Sequence, residues 1–266
     1  PLAAERTTQA LPYLVAWLQR DKDFPCAALS PIYGELLTLF ALGSARGATV
    51  YESSQVLVGA LLAGGLDQKA YRDLIADTDE IAGVGFGVDM IYWVLELVEN
   101  FMNSATPDAD AREAFLHRIL ARIAPIIGRL TRLQRIAVTL LSRELGWELP
   151  VSPTSDVAPT DDGLASRLAG MRITIYSLTE SSSRQAKAAL EEISSSVTVD
   201  INADHSGSAR LRALAENSDL FVMTWLSAKH AATDFIRMHR GNRPLIYSQG
   251  KGFSSRLRAI EDFLCS

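Results

Sequence analysis

Arg172-Ile-Thr-Ile-Tyr176 and Ser196-Val-Thr-Val-Asp-Ile201 decide the fold. Both are rich in β-branched residues and alternate apolar with polar side chains, the period-two pattern of a strand lying on a hydrophobic layer. Two shorter runs of the same kind follow at 220–225 and 244–247, bounded by polar turns. After each run the apolar spacing widens to three and four residues, over 182–193, 208–216, 228–239 and 254–264, which predicts helices. Strand then helix, four times over, predicts a parallel sheet with right-handed crossovers and helices on both faces. The segment reads as a small four-stranded Rossmann-like module of flavodoxin-like order 2-1-3-4.

Upstream lies Pro150-Val-Ser-Pro-Thr-Ser-Asp-Val-Ala-Pro-Thr-Asp-Asp-Gly163, with three prolines and no apolar period. That composition predicts a linker over 150–170, with a short helix at 164–169. The domains expected are therefore a helical one over 1–149 and an α/β one over 171–266, a fold of class α plus α/β. Helical patterns run over 7–20, 31–46, 51–62, 67–77, 88–102, 108–123 and 125–145. Leu11, Leu14, Val15 and Leu18 share one face of the first. Ser30 and Pro31 supply an N-cap and a first helical residue for the second. The 88–102 segment is apolar nearly all round, which predicts a buried central helix, whereas 67–77 reads as polar and short. No internal repeat of 30–45 residues is evident.

A hydrophobic content of 48% with 21% charged residues is that of a folded globular protein. The first residue is Pro1, so the sequence reads as processed, trimmed or part of something longer. Charged residues interrupt the start before any leader-like apolar run can form. The longest apolar stretches fall far short of the roughly 20 residues that a membrane span needs, so no membrane association is expected. Cys26 and Cys265 make no disulfide framework, and a reducing cytoplasm is the simpler reading. No metal site is expected, because the histidines form no cluster with the cysteines. Residues 171–266 hold 12 Lys+Arg against 10 Asp+Glu, a net +2, while the preceding residues carry net −7 within an overall −5. This balance argues against general polyanion binding and leaves room for a local basic site.

In an open parallel sheet, ligands gather at the carboxyl ends of the strands where the strand order reverses. Here that point lies between the first and third strands. The loops reaching it contain Ser177 and Thr179, then Ser227, Lys229 and His230, then Gly250, Lys251, Gly252, Ser254, Ser255 and Arg256. Gly250-Lys251-Gly252 running into a helix is the sharpest of these signals: glycines allow close approach, free amides attract an anion, and Lys251 adds charge. Arg256 adds a second cation if it faces the mouth. The plain alternative is a glycine-rich turn with Ser254 as an N-cap. Ser227 likewise reads first as an N-cap, and His230 as a satisfied histidine. Asp204 reads as loop polarity, although an aspartate there could approach a ribose. Neither a P-loop nor the Gly-x-Gly-x-x-Gly fingerprint is present, which counts against ordinary NAD or FAD binding. Gly83-Val-Gly-Phe-Gly87 follows a helix rather than a strand and reads as a turn. Arg118, Arg122, Arg129, Arg132 and Arg143 would share one face of an unbroken helix, but Pro125 interrupts it, and a solvated face is the simpler reading.

The segment 171–264 resembles a bacterial Rossmann-like family of unknown function, DUF2325. The likeness rests on Asp219 just ahead of the third strand, on Ser227-Ala-Lys-His-Ala231, and on a serine pair before the last helix. The resemblance implies the fold and the importance of the third- and fourth-strand loops, but no activity. It departs at 178–181 and 203–206, where the family pattern is glycine-rich.

Three functional readings follow. The first is a non-enzymatic sensor or adaptor: the α/β module binds a phosphate-bearing ligand, a nucleotide or a nucleic-acid end, and the helical domain engages a protein partner or a second copy. The second is a nucleotide-processing hydrolase using Glu180 or His230, which requires that carboxylate to point into the mouth. The third is a structural docking subunit of a larger bacterial complex. No particular cofactor is indicated.

Overall fold

The computed structural model describes residues 2–45, 47–83, 86–147, 163–224 and 230–266. The chain divides into two compact units, Pro1–Ile126 and Ile127–Ser266.

The first unit is helical: α1 (Leu2–Leu18), α2 (Ser30–Leu42), α3 (Ala48–Gly64), α4 (Gln68–Gly83), α5 (Ile91–Met102) and α6 (Ala109–Ile123). The helix expected to be central, now α5, buries Ile91, Trp93, Val94, Leu95, Leu97, Val98 and Phe101. Its Trp93 indole donates to the Tyr51 carbonyl of α3, and the two rings lie 4.4 Å apart. Phe101 joins the neighbouring helices through Tyr71 of α4 and Phe115 of α6, at ring separations of 6.0 and 4.9 Å. The segment expected to be short and polar is a 16-residue helix, α4. It extends because Ile81 and Ala82 are buried and Thr78 satisfies its hydroxyl internally, donating to the Leu74 carbonyl at 2.7 Å. The helix expected to run to 46 instead stops at Leu42, where Gly43 turns to extended geometry. Asp108 caps α6 by accepting from the Ala111 amide at 3.0 Å.

The second unit begins earlier than the expected linker. It contains α7 (Arg132–Glu144), α8 (Leu164–Leu168), then β1 (Arg172–Tyr176), α9 (Glu180–Ile193), β2 (Thr198–Asn202), α10 (Ala209–Asn217), β3 (Leu220–Thr224), α11 (His230–Arg240), β4 (Leu245–Ser248) and α12 (Phe253–Cys265). The sequence reading assigned α7 to the helical domain; in the structure it packs on α9 and α12. It starts with a capping box, in which Thr131 accepts from the Gln134 amide at 3.2 Å and the Gln134 side chain accepts from the Thr131 amide at 3.0 Å. The Thr131 hydroxyl also donates to Glu261 of α12 at 2.7 Å. The five arginines considered for one helical face lie on separate elements. α6 ends at Ile123, Arg129 lies in a 3-10 turn, and Arg132 and Arg143 lie on α7. Of the expected linker, 150–162 lies outside the described residues, and Gly163 precedes α8 with a left-handed φ of +70°.

The sheet is parallel throughout with order β2-β1-β3-β4, as the strand–helix alternation predicts. Side-chain alternation sends Tyr176, Phe221 and Met223 to one face, where Leu211 and Ala215 of α10 and Ala232 and Ile236 of α11 cover them. Ile173, Ile175 and Val222 take the opposite face, the side of α9 and α12. At the amino ends of the strands, Arg240 is 1% exposed and donates to four backbone carbonyls, those of Ala215, Ser218, Asp219 and Pro244. Asp219, whose place ahead of β3 supported the family resemblance, ties β1 to β3: its carboxylate accepts from the Arg172 amide at 2.7 Å.

Candidate functional site

The carboxyl edge of the sheet is built from short hydroxyl side chains that end the strands. Ser177 follows β1, while Thr224 and Ser248 end β3 and β4 and face each other in register. All three are buried. Ser248 donates its hydroxyl to Thr224 Oγ1 at 3.1 Å. Into this cluster reaches Arg256 from the first turn of α12, a residue with no exposed surface. Its Nε donates to Thr224 Oγ1 at 3.0 Å, and its Nη2 donates to Ser177 Oγ at 2.8 Å and to the Lys251 carbonyl at 3.0 Å. The guanidinium thus bridges the ends of β1 and β3, the point where the strand order reverses.

The 249–252 loop is tied down around this arginine. Ser255 Oγ accepts from the Gly250 amide at 2.8 Å, and Ser182 of α9 donates to the Lys251 carbonyl at 3.1 Å. Gly250 and Gly252 are buried, and Lys251 is exposed. Gly252 is the N-cap of α12, so the plain reading of Ser254 as that cap is corrected; Ser254 is a buried residue within the first turn. Neither Gly252 nor Thr179, the N-cap of α9, supplies a side-chain cap, and both helices begin at this edge. Thr179 is half-buried; its carbonyl accepts from Ser182 at 3.2 Å and from Ser183 at 3.1 Å, while its amide donates to Ser177 Oγ at 3.1 Å.

Of the residues expected here, Ser177, Thr179 and the 250–256 group are brought together. Ser227 and Lys229 lie outside the described residues, and His230 opens α11. Glu180 turns to solvent: its side chain is 55% exposed and pairs with Arg184 at 2.7 Å, one turn along α9. That orientation counts strongly against the acid–base role that the hydrolase reading gave it. Asp204 serves its own loop, accepting from the Asn202 side chain at 3.0 Å and from Ser208. These two hydrogen bonds, that of Asn202 foremost, hold its carboxyl below the usual aspartate range. Three contributors were missed: Ser182, Thr224 and Ser248. Each stands at a strand end or in a helix first turn, the positions at which small hydroxyl residues meet a ligand edge. Among the described residues no group of side chains suited to a metal ion occurs, and no helix is long and apolar enough to cross a membrane.

A family model described as DpdD-like matches residues 2–259. The chain belongs to the DpdD-like family. The match runs through both units, so the helical region and the α/β region belong to one family unit. It overturns the resemblance of 171–264 to DUF2325. The features behind that resemblance, an aspartate ahead of β3 and serines opening the last helix, here stitch β1 to β3 and anchor the β4 loop, tasks that the parallel architecture itself imposes. No curated protein and no solved structure matches the chain.

Proposed function

We propose that the carboxyl edge of the α/β unit binds a phosphate-bearing ligand, a nucleotide or a nucleic-acid end, and that this DpdD-like protein works as a non-enzymatic sensor or adaptor. The observation that carries this reading is Arg256, a buried guanidinium fixed by Ser177 and Thr224 at the strand-order reversal. Burying such a charge costs several kcal/mol in general, and hydrogen-bonded oxygens offset that cost. Held there, it lends positive potential to an edge that already carries two helix starts and Lys251, the combination that anion sites use. The anchored 249–252 loop supports the same reading, since a rigid cradle pays little entropy on binding. In this proposal the helical unit engages a protein partner or a second copy, and the cysteine usage suits a reducing cytoplasm.

Isothermal titration of the intact protein with pyrophosphate, nucleoside triphosphates, cyclic nucleotides and 5′-phosphorylated oligonucleotides tests it. A saturable ligand is expected, with Lys251→Ala weakening it by about three- to tenfold, as befits an exposed, solvent-screened cation. Absence of binding at millimolar ligand, or unchanged affinity in the variant, contradicts the proposal.

A further inference from the structure

The carboxyl edge of the sheet sorts its charges, and the sorting narrows the ligand. Across the four strand-to-helix loops and the first turn of each following helix, the sequence places two carboxylates, Glu180 and Asp204. Glu180 is turned along α9 to Arg184 at 2.7 Å, so its charge is matched on the helix surface. Asp204 follows β2, on the far side of β1 from the strand-order reversal, and its Oδ2 accepts from Asn202 and Ser208 within its own loop. The next carboxylate inward, Asp234, is exposed in the second turn of α11.

The cations divide differently. Arg210 and Arg212 of α10 are engaged away from the mouth: Arg210 Nη2 donates to the Ile201 carbonyl of the edge strand β2 at 3.2 Å, and Arg212 lies 3.7 Å from Glu216. Lys251 stands exposed in the β4–α12 loop. The hydrogen bonds that fix Arg256 beneath that loop run to hydroxyl and carbonyl oxygens of Ser177, Thr224 and Lys251, which are uncharged groups. Among the described residues, positive charge therefore prevails at the mouth while both carboxylates are directed elsewhere.

A terminal phosphate monoester carries close to two negative charges near neutral pH, whereas a phosphate within a nucleic-acid backbone carries one. Two neighbouring cations favour the dianion over the monoanion. A nucleoside triphosphate brings Mg²⁺ on its phosphates, and proteins hold that ion through one or two carboxylates alongside the phosphate oxygens. Here such an ion would set its charge beside Lys251, with Glu180 and Asp204 both turned to other partners.

We propose that this edge selects a terminal phosphate monoester free of divalent metal, over an internal diester or a Mg²⁺-chelated triphosphate. The selection rests on the phosphate reading of the same edge. A nucleoside 5′-monophosphate and the 5′ end of a nucleic-acid strand share this chemistry.

The test is calorimetric titration of the intact protein with matched probes. AMP should bind about fivefold or more tighter than its 5′-phosphate methyl ester, which differs by one methyl group and one charge. A 5′-phosphorylated thymidine tetranucleotide should exceed its 5′-hydroxyl form by a similar factor. Excess Mg²⁺ should weaken ATP rather than strengthen it. Lys251→Ala should shrink the preference for AMP over its ester, and Lys251→Arg should keep it; Lys251 is exposed, so neither change disturbs the core. Tighter binding of the phosphorylated tetranucleotide than of AMP would support a strand end as the ligand, and the reverse a free nucleotide. Equal affinity for AMP and its ester, or ATP binding tightened by Mg²⁺, would overturn the selection while leaving a phosphate site in place. No binding by any probe would overturn both.

Discussion

Arg240 and Arg256 are both buried, and they occupy opposite ends of one sheet. Arg240 is a structural clamp: its guanidinium donates to the Ser218, Asp219 and Pro244 carbonyls at the amino ends of β3 and β4 and to the Ala215 carbonyl of α10, and lies 5.7 Å from the Phe221 ring centre. Burial pulls its pKa below the ordinary arginine value, and the charge of Arg243 adds to that. The group still stays protonated at neutral pH, because arginine starts so high. Arg240→Ala strands those carbonyls and should cost about 3 kcal/mol or more in urea unfolding. Loss below about 1 kcal/mol would refute the clamp. A steric case is Gly207, where an added Cβ would stand 2.5 Å from the Phe235 ring. Gly207→Ala must push that ring out of the α10–α11 layer, so a loss of about 1–3 kcal/mol is expected, measured as a lower Tm. The clamp role of Arg240 was not legible from the sequence, since arginine is normally exposed and nothing in its spacing tells a plug from a surface charge, whereas Arg256 reads there as a second cation if it faces the mouth.

At the level of elements, caps and carboxylates set the response to mutation and to acid. Thr131→Ala removes the cap of α7 and its link to Glu261 on α12, so a loss of about 1–2 kcal/mol is expected in chemical unfolding. Asp108 and Asp204 both titrate below the usual aspartate range. For Asp108 the causes are the Ala111 amide first and the Arg72 guanidinium next. In both cases the folded state holds the carboxylate ionised where the unfolded chain has begun to protonate. Their stabilisation is therefore complete above the ordinary aspartate pKa and is lost as the pH falls through the lower folded values. Asp77 runs the other way, with its pKa raised by burial, so its ionised form opposes folding at neutral pH. Asp77→Asn keeps an acceptor for the Thr38 hydroxyl, which donates to Asp77 at 2.6 Å, and should raise Tm at pH 7. That gain should shrink toward pH 4, and a pH-independent difference would rule out the ionisation account. The elements themselves were legible where a single period governs them, as in β1, α5 and α9. α4 was under-read because Ile81 and Ala82 come after a polar stretch that hides the periodicity.

At the level of the whole molecule, the sheet order followed from strand–helix alternation, whereas the grouping of helices did not. α7 is amphipathic, and amphipathicity says that a helix has a buried face without saying which layer covers it. Its partners are α9 and α12, so in native-state hydrogen exchange of the intact chain the α7 amides should open together with the sheet. Exchange of α7 in step with α1–α6 would contradict that grouping. The site was half legible: strand-end position and glycine content pointed to 250–256, but the inward turn of Arg256 and the outward turn of Glu180 depend on packing that no local pattern encodes. The central claim is a phosphate site at the carboxyl edge of the sheet. It is tested most directly by amide chemical-shift mapping of the intact protein with pyrophosphate. Shifts concentrated at Ser177–Glu180 and Gly250–Ser255, and lost in Lys251→Ala, are the predicted result. Shifts scattered over exposed lysines and arginines, or confined to the helical unit, would contradict it.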